Sequence, residues 1–503
     1  ADRTSEPRIK RITGFHGWAR ARRLLFLLRE TRSSTSQSID DTSMNATSTS
    51  PAVKPANLDH ALSGLQDDTG ATMGGEMPSP SVKSNNPWQS VMQTLPPGYK
   101  QTDVGVIPQD WEVVPLRQLI LSVEYGSSAK SNVRGDIPVL RMGNLQDGAL
   151  DWSDLVYTND KSEIEKYALD PGDVLFNRTN TIDLVGKTSI YRGERPAIFA
   201  GYLIRIKVEP SRLDSDYLNY VLNAEFSKKH SAKVLSVAVA QANINGQKVR
   251  TYPIPIPPTL AEQQAIAEAL SDVDALISVL DRLIAKKRAI KQGAMQKLLT
   301  GKRRLPGFDG EWEIKRLGEI VEKLVNGGTP STQQPEYWAG HIPWITGADI
   351  LDQQVSEIRR YITEEAVRNS STNIVERGSL LLVSRTGVGK LAIAPFAVAI
   401  SQDFTGVYVR QDRILPEFLF RFLDYKPEVL RSQNQGTSIQ GITRETLIAI
   451  PVPVPQLTEQ AAIAAVLSDM DAEIAALERR RDKTKLLKQG MMQELLAGKI
   501  RLV

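Results

Sequence analysis

The 503-residue chain contains no cysteine and four scattered histidines, His16, His60, His230 and His341. The first absence excludes disulfides, thiolate zinc sites, iron–sulfur clusters and cysteine nucleophiles, and it fits a reducing compartment. The second, with no HExxH or paired-histidine spacing, leaves little from which to build a catalytic zinc centre. Near the N-terminus the apolar run from Leu24 to Leu28 is five residues long, far short of the roughly 20 that a bilayer span needs. No small-residue cleavage pattern follows it, so a secretory signal is not expected. Charge of one sign is not in excess either. With 62 Lys+Arg against 58 Asp+Glu the net charge is +4, and a nucleic-acid role would require a local basic surface rather than a global one.

What is present suffices for several folded domains, at about 150 residues each. Apolar residues at 41% and charged residues at 24% are ordinary for a globular chain, which excludes a membrane bundle and a wholly disordered protein. Residues 31 to about 95 are the exception: rich in Ser, Thr, Asn, Pro and Gly, with no apolar period. A short basic stretch precedes them, and the first residue, Ala1, is not Met. Residues 1–95 are therefore expected to form a disordered, low-complexity extension outside the folded protein.

The remainder is organised by an internal repeat. Residues 258–305 align on 455–502 without a gap, and more than half of the positions are identical, among them Glu262/Glu459, Gln263/Gln460, Asp274/Asp471 and Lys291/Lys488. Each copy follows a proline-rich segment, PIPIPP or PVPVP, taken as the stop after which a helix starts. Apolar residues recur at Ile266, Leu270, Val273, Ile277 and Leu280, and in the second copy at Ile463, Leu467, Met470, Ile474 and Leu477. Alternating steps of four and three make a heptad seam, so two long helices are expected to pair through these residues. Forty helical residues span about 60 Å, enough to act as a rod holding two domains apart. A fainter repeat precedes each helix: Trp111-Glu112 matches Trp312-Glu313, Arg178-Thr179 matches Arg385-Thr386, Val185-Gly186-Lys187 matches Val388-Gly389-Lys390, and Ile244 with Gly246 matches Ile439 with Gly441.

The expected order is thus a mixed α/β domain over 96–257, a spacer helix over 258–303, a second such domain over 304–454 and a second helix over 455–503. The duplication suggests pseudo-two-fold symmetry in an α+β architecture without regular βαβ alternation. Near-identical helices beside divergent domains imply that the helices bind the same thing twice and the domains bind different things. The domain loops carry side chains suited to base edges and phosphates. In the first domain these are Arg141, Asn144, Asn177, Arg178, Thr179, Asn180, Lys187, Asn243 and Asn245. In the second they are Thr346, Asp349, Ser384, Arg385, Thr386, Lys390, Gln435, Ser438 and Gln440. Arginine pairs bidentately with guanine, and Asn or Gln with adenine, which fits readout in the major groove.

Enzyme motifs are missing. Neither VGKTS at 185–189 nor RTGVGKL at 385–391 satisfies the phosphate-loop spacing. NNPW at 85–88 lacks the second proline of an amino-methyltransferase base-gripping motif, and no GxSxG elbow occurs. Asp309, Glu313 and Lys315 lie in a linker rather than on a sheet carrying a nuclease centre.

Residues 96–503, through GYKQTDVGVIPQDWEVVPL, GDVLFNRT, GSLLLVSRTG, the AEQQAIAEALSDVDALI and TEQAAIAAVLSDMDAEI helices and their KQG tails, resemble the specificity (S) subunit of a Type I restriction-modification system. The resemblance implies two target recognition domains, each reading half of a split DNA sequence, and antiparallel conserved helices on which two methyltransferase (M) subunits dock. The ten seam residues named above become candidates for helix pairing and M-subunit docking. The resemblance further implies a non-catalytic chain, with S-adenosylmethionine on the M subunits, ATP and Mg on restriction (R) subunits, no metal on this chain, and a prokaryotic cytoplasmic location. The competing expectation is a coiled-coil interaction scaffold with two ligand-binding domains and no DNA role.

Overall fold

The computed structural model describes residues 95–238, 241–431 and 441–502, so the expected N-terminal extension lies, except for Leu95, outside the described residues. These residues divide into two compact units, 95–274 with 487–502 and 275–486. The boundaries fall within the two long helices, Leu260–Leu298 and Leu457–Leu495.

In the first unit, short β-branched and aromatic runs form a four-stranded antiparallel sheet in the order Thr188–Ile190, Val174–Asn177, Leu203–Val208, Ile120–Tyr125. Val174–Asn177 is buried along its whole length, which is why it reads as a continuous apolar run rather than an alternating one. A smaller sheet sets Ile137–Leu140 between Ile198–Phe199, in parallel, and Val156–Thr158. The second unit builds the corresponding sheet from Leu391–Ile393, Leu380–Val383, Phe404–Val409 and Val321–Asn326 in the same order. Its smaller sheet again pairs Ile342–Ile345 with Val398–Ile400 in parallel. The expected α+β class is what the units display.

The proline-rich segments are not merely stops. Pro253–Ile256 pairs antiparallel with Glu112–Pro115, and Pro451–Val454 with Glu313–Arg316, each as a two-stranded ribbon. Prolines two apart lie on one side of the strand, so the intervening residues keep their N–H groups for the ladder. Ile254 and Val452 are fully buried between them.

Each long helix begins with a duplicated pair of polar residues that are almost wholly buried. Gln263 accepts the Asp214 N–H at 2.9 Å and donates to the Arg212 carbonyl at 3.0 Å. Gln460 accepts the Leu415 N–H at 2.8 Å and donates to the Arg413 carbonyl at 2.9 Å. Within the first unit, Glu262 receives Arg501 at 2.5 and 2.9 Å, and Arg501 also reaches Asp110 at 3.0 Å and lies over the Trp111 ring. Within the second, Glu459 receives Arg304 through two bonds of 2.5 Å and the Trp312 indole N–H at 3.0 Å. Helix segments run antiparallel in the second unit, where Asp281 meets Arg481, Lys287 meets Glu473 and Lys291 meets Asp471. In the first unit Asp274 meets Lys488.

A carboxylate 2% exposed is tolerable only while its counter-charge is in place. Arg501→Met is expected to destabilise the first unit by about 3 kcal/mol, and adding Glu262→Leu to recover most of that loss. Denaturant unfolding followed by fluorescence of the buried Trp111 is the measurement; equal stability of the single and double variants would refute the assignment.

Candidate nucleic-acid interface

At the edge of the first unit's main sheet the chain leaves Val174–Asn177 as Arg178-Thr179-Asn180, and Thr179–Asn180 pairs with Gln241–Asn243. The Arg178 guanidinium lies 4.8 Å over the ring of Tyr125 and donates to the Gly201 carbonyl and to Asn243 Oδ1, each at 3.4 Å. The other end of the Asn243 amide donates to Thr179 Oγ1 at 2.7 Å. The Tyr125 hydroxyl accepts the Gly246 N–H at 2.8 Å. Arg178 is therefore held between an aromatic plate and an amide while remaining partly exposed. Such a guanidinium is preorganised for a planar partner. Tyr125, Tyr202, Ile182 and Val237 contribute exposed ring and apolar surface to this unit. Sequence reasoning missed both tyrosines; the signal available was an aromatic beside a glycine, Tyr125-Gly126 and Gly201-Tyr202.

The second unit differs by one residue of register. Arg178 N–H is bonded to the Tyr202 carbonyl and its own carbonyl accepts Ile244 N–H, whereas in the second unit these two bonds belong to Ser384, with Asp403 and Ile442. The structural counterpart of Arg178 is therefore Ser384, and Arg385 corresponds to Thr179. Likewise Ile244 and Asn245 correspond to Ile442 and Thr443, not to residues near 439: Asn245 caps Lys248 N–H and Thr443 caps Thr446 N–H. Both Arg-Thr and Ile-x-Gly matches in the sequence are corrected, because hydrogen-bond register is set by strand pairing rather than by like letters. The Val-Gly-Lys match agrees with the register: the Lys187 and Lys390 carbonyls accept from Asn177 and Val383.

Several candidate side chains are consumed by the fold. Asn144, 2% exposed, accepts Arg141 N–H at 2.8 Å and donates to the Asp151 and Asp154 carbonyls, each at 2.9 Å. Asp349, 1% exposed, closes the equivalent turn by accepting Thr346 N–H at 2.8 Å and Thr346 Oγ1 at 2.9 Å, and it pairs with Arg359 at 2.5 Å. Both side chains cap turns, a need set by the orphan N–H groups of a helix start, and are corrected from base readers to structural residues. Asn177, buried and donating to the Leu184 carbonyl, is corrected likewise, while Asn245 caps Lys248 N–H through its Oδ1 and stays exposed. Lys390 is also corrected, its ammonium donating to the Gly347 and Ile350 carbonyls at 2.8 and 3.1 Å. Arg141 pairs with Asp154 at 3.1 Å, and the Asn180 side chain accepts Thr181 N–H. Ser384 is buried and accepts from Thr405 Oγ1. Lys187 is half-buried, and Arg385 and Thr386 are exposed. Gln435, Ser438 and Gln440 lie outside the described residues.

The helix seam is buried to different degrees along its length. Ile266, Leu270, Val273, Leu280, Ile463, Leu467 and Ile474 are buried, while Ile277, Met470 and Leu477 are half-buried. Ile463 and Leu467 share one core with Leu317, Leu380 and Phe418 of their own domain and with Met295, Leu298 and Leu299. In the second unit Ile463 and Leu467 thus share a core both with the other long helix, as the pairing expectation has it, and with their own domain. The exposed side of the helices carries a different set. Ala275, Arg282, Lys286 and Gln296 are exposed, and their counterparts Ala472, Arg479, Lys483 and Gln493 are both identical and exposed. Spacings of seven, four and ten residues place each set on one helical stripe.

Burial leaves Asp349 with opposing influences on its ionisation. Desolvation opposes the charge, but the Thr346 N–H and the Arg359 guanidinium outweigh it and hold the carboxyl below its ordinary value. The contribution to stability is full above the ordinary aspartate range and lost as pH falls through the lowered folded-state value. Asp349→Asn is expected to cost roughly 1–3 kcal/mol at pH 7, with the gap from wild type closing below about pH 4. Thermal melts across pH check this, and a pH-independent gap would contradict it.

Among the described residues no cluster of His, Asp and Glu is placed to hold a metal, and no helix is long and apolar enough to cross a membrane. A family model described as the Type I restriction modification DNA specificity domain matches twice, at residues 108–286 and 309–487. Each match takes in one domain and most of the helix that follows it. The chain is similar to the MjaX type I restriction enzyme specificity subunit of Methanocaldococcus jannaschii, 30% identical over 418 residues, covering 80% of this chain and 96% of that one. It is also 30% identical over 239 residues to the EcoR124I/EcoR124II specificity subunit of Escherichia coli, covering 45% of this chain and 57% of that one. In fold it is similar to the crystal structure of the Type-I restriction-modification S subunit from M. genitalium, with TM-score 0.53, 14% identity, and coverage of 76% of this chain and 96% of the other.

Proposed function

The chain belongs to the family of Type I restriction-modification specificity subunits, and from that membership we propose that its two units read the two halves of a bipartite duplex DNA target. The observation that carries this reading is the stacked Arg178–Tyr125–Asn243 arrangement on a domain whose counterpart keeps the sheet order but changes the residues at the same edge. One scaffold with two different edges is what two unlike half-sites require. The scaffold-without-DNA alternative has no observation in its favour.

In this reading the chain performs no chemistry. Two M subunits bring S-adenosylmethionine and methylate adenine N6, and R subunits bring ATP and Mg for cleavage. The exposed stripe supports the two-fold M stoichiometry. Buried identities such as Glu262/Glu459 are explained by packing, but exposed ones such as Arg282/Arg479 are not, and a repeated partner supplies the reason. Arg282→Glu is expected to reduce the M subunits that co-purify with the chain from two to one, and adding Arg479→Glu to remove both, as read by native mass spectrometry. Two retained copies in the double variant would reject the stripe.

The functional reading itself is tested by methylome sequencing of a host expressing the chain with its M subunits. The expected result is one methylated bipartite motif. Arg178→Ala is expected to relax one half of the motif and leave the other intact, losing roughly 1–3 kcal/mol of discrimination. Uniform weakening across sequences would make Arg178 a phosphate contact instead, and no motif at all would reject the function.

A further inference from the structure

The first unit fills the edge of its recognition sheet with its own side chains, and the second leaves it open. In the first, the Tyr125 ring and the Arg178 guanidinium stack there, and Tyr125 Oη seals against Gly246 N–H. Sheet register identifies the counterparts: Tyr125 pairs with Ile204 as Asn326 pairs with Thr405, and Ser384 takes the hydrogen-bonding place of Arg178. At these two positions large planar side chains are replaced by small polar ones, while Arg385 and Arg444 stand where the first unit has Thr179 and Gly246. Beside them lies a cavity of about 180 Å³ with Asn326, Ser384, Arg385, Gln402 and Arg444 in its wall.

The lining says what the cavity can take. Leu324, Phe404 and Ile442 make it apolar in part, which suits a flat ring. Asn326 and Gln402 add amides able to donate and accept at a ring edge. The side chains of Arg385 and Arg444 make no hydrogen bond or ion pair among the described residues, and no carboxylate lines the space, so a negative charge attached to the ring is accommodated. A planar group with polar edges, carried on an anionic backbone, is a nucleotide. We propose that this cavity receives a nucleobase swung out of the second half-site, taking the place that Tyr125 occupies in the first unit. The inference rests on the DNA-reading function proposed above and adds a second, mechanically different mode of recognition to it.

Unpairing a base costs the protein binding energy, and the cost is least where the base is already mismatched. The test uses the full chain in complex with its M subunits and fluorescent duplexes carrying the methylome-defined motif, with a mismatch placed at each position in turn. At one position of the second half-site, other than the methylated adenine, the mismatch should tighten binding by about five-fold or more, and no such position should occur in the first half-site. Asn326→Tyr with Ser384→Arg, which imports the first unit's filling, should abolish that tightening; Asn326→Tyr alone serves if the double variant does not fold. If every mismatch weakens binding in the wild type, or if the tightening survives in a folded filled variant, the inference fails while the function stands. If no duplex is bound specifically, both fail.

Discussion

A carboxylate buried in protein must keep a counter-charge, and in this molecule the need is met twice by an arginine from the tail of a long helix. Glu262 with Arg501 in the first unit and Glu459 with Arg304 in the second sit at helix starts, each beside a tryptophan. Removing the arginine would strand a charge where water cannot reach, so the helix start, the helix tail and the tryptophan that precedes the strand Glu112–Pro115 or Glu313–Arg316 are bound to one another in each unit. The neighbouring Gln263 and Gln460 then fasten the helix to the loop that leads into the domain helix. The recognition sheet is built outward from this anchored end.

The same division of labour explains which residues repeat and which diverge. The anchors and most of the helix core are identical because both copies face the same packing problem. At the far edge of each sheet, Tyr125 and Asn326 occupy one register position with opposite effects, one filling space and the other opening it. Changes there leave the core strands Val174–Asn177 and Leu380–Val383 untouched, so the readers are free to differ without cost to the fold.

Much of the fold was legible in the sequence. The gap-free match of 258–305 on 455–502 implied two long helices, and apolar runs such as GDVLF and GSLLLVS implied the central strands. The proline-rich segments were misread as breaks because proline alone signals the end of a ladder, whereas its alternation with Ile or Val permits an edge strand. The site was legible only as a region. Asn144 and Asp349 have the chemistry of base readers, and nothing local distinguishes that role from closing a turn. The heptad seam was identified correctly as apolar, but whether it faced a partner or its own domain depended on where Leu317 and Phe418 came to lie.

The sequence by itself determined the duplication, the helices, the absence of thiol chemistry and the family, because these depend on composition, periodicity and identity along the chain. Tertiary structure alone decided that Ser384 rather than Arg385 stands where Arg178 does, that one unit holds a filled edge and the other a cavity, and which helix face remains exposed. The physical reason is that strand register and burial are set by residues distant in the chain, and a shift of one position in pairing moves a side chain to a different environment without altering a single letter.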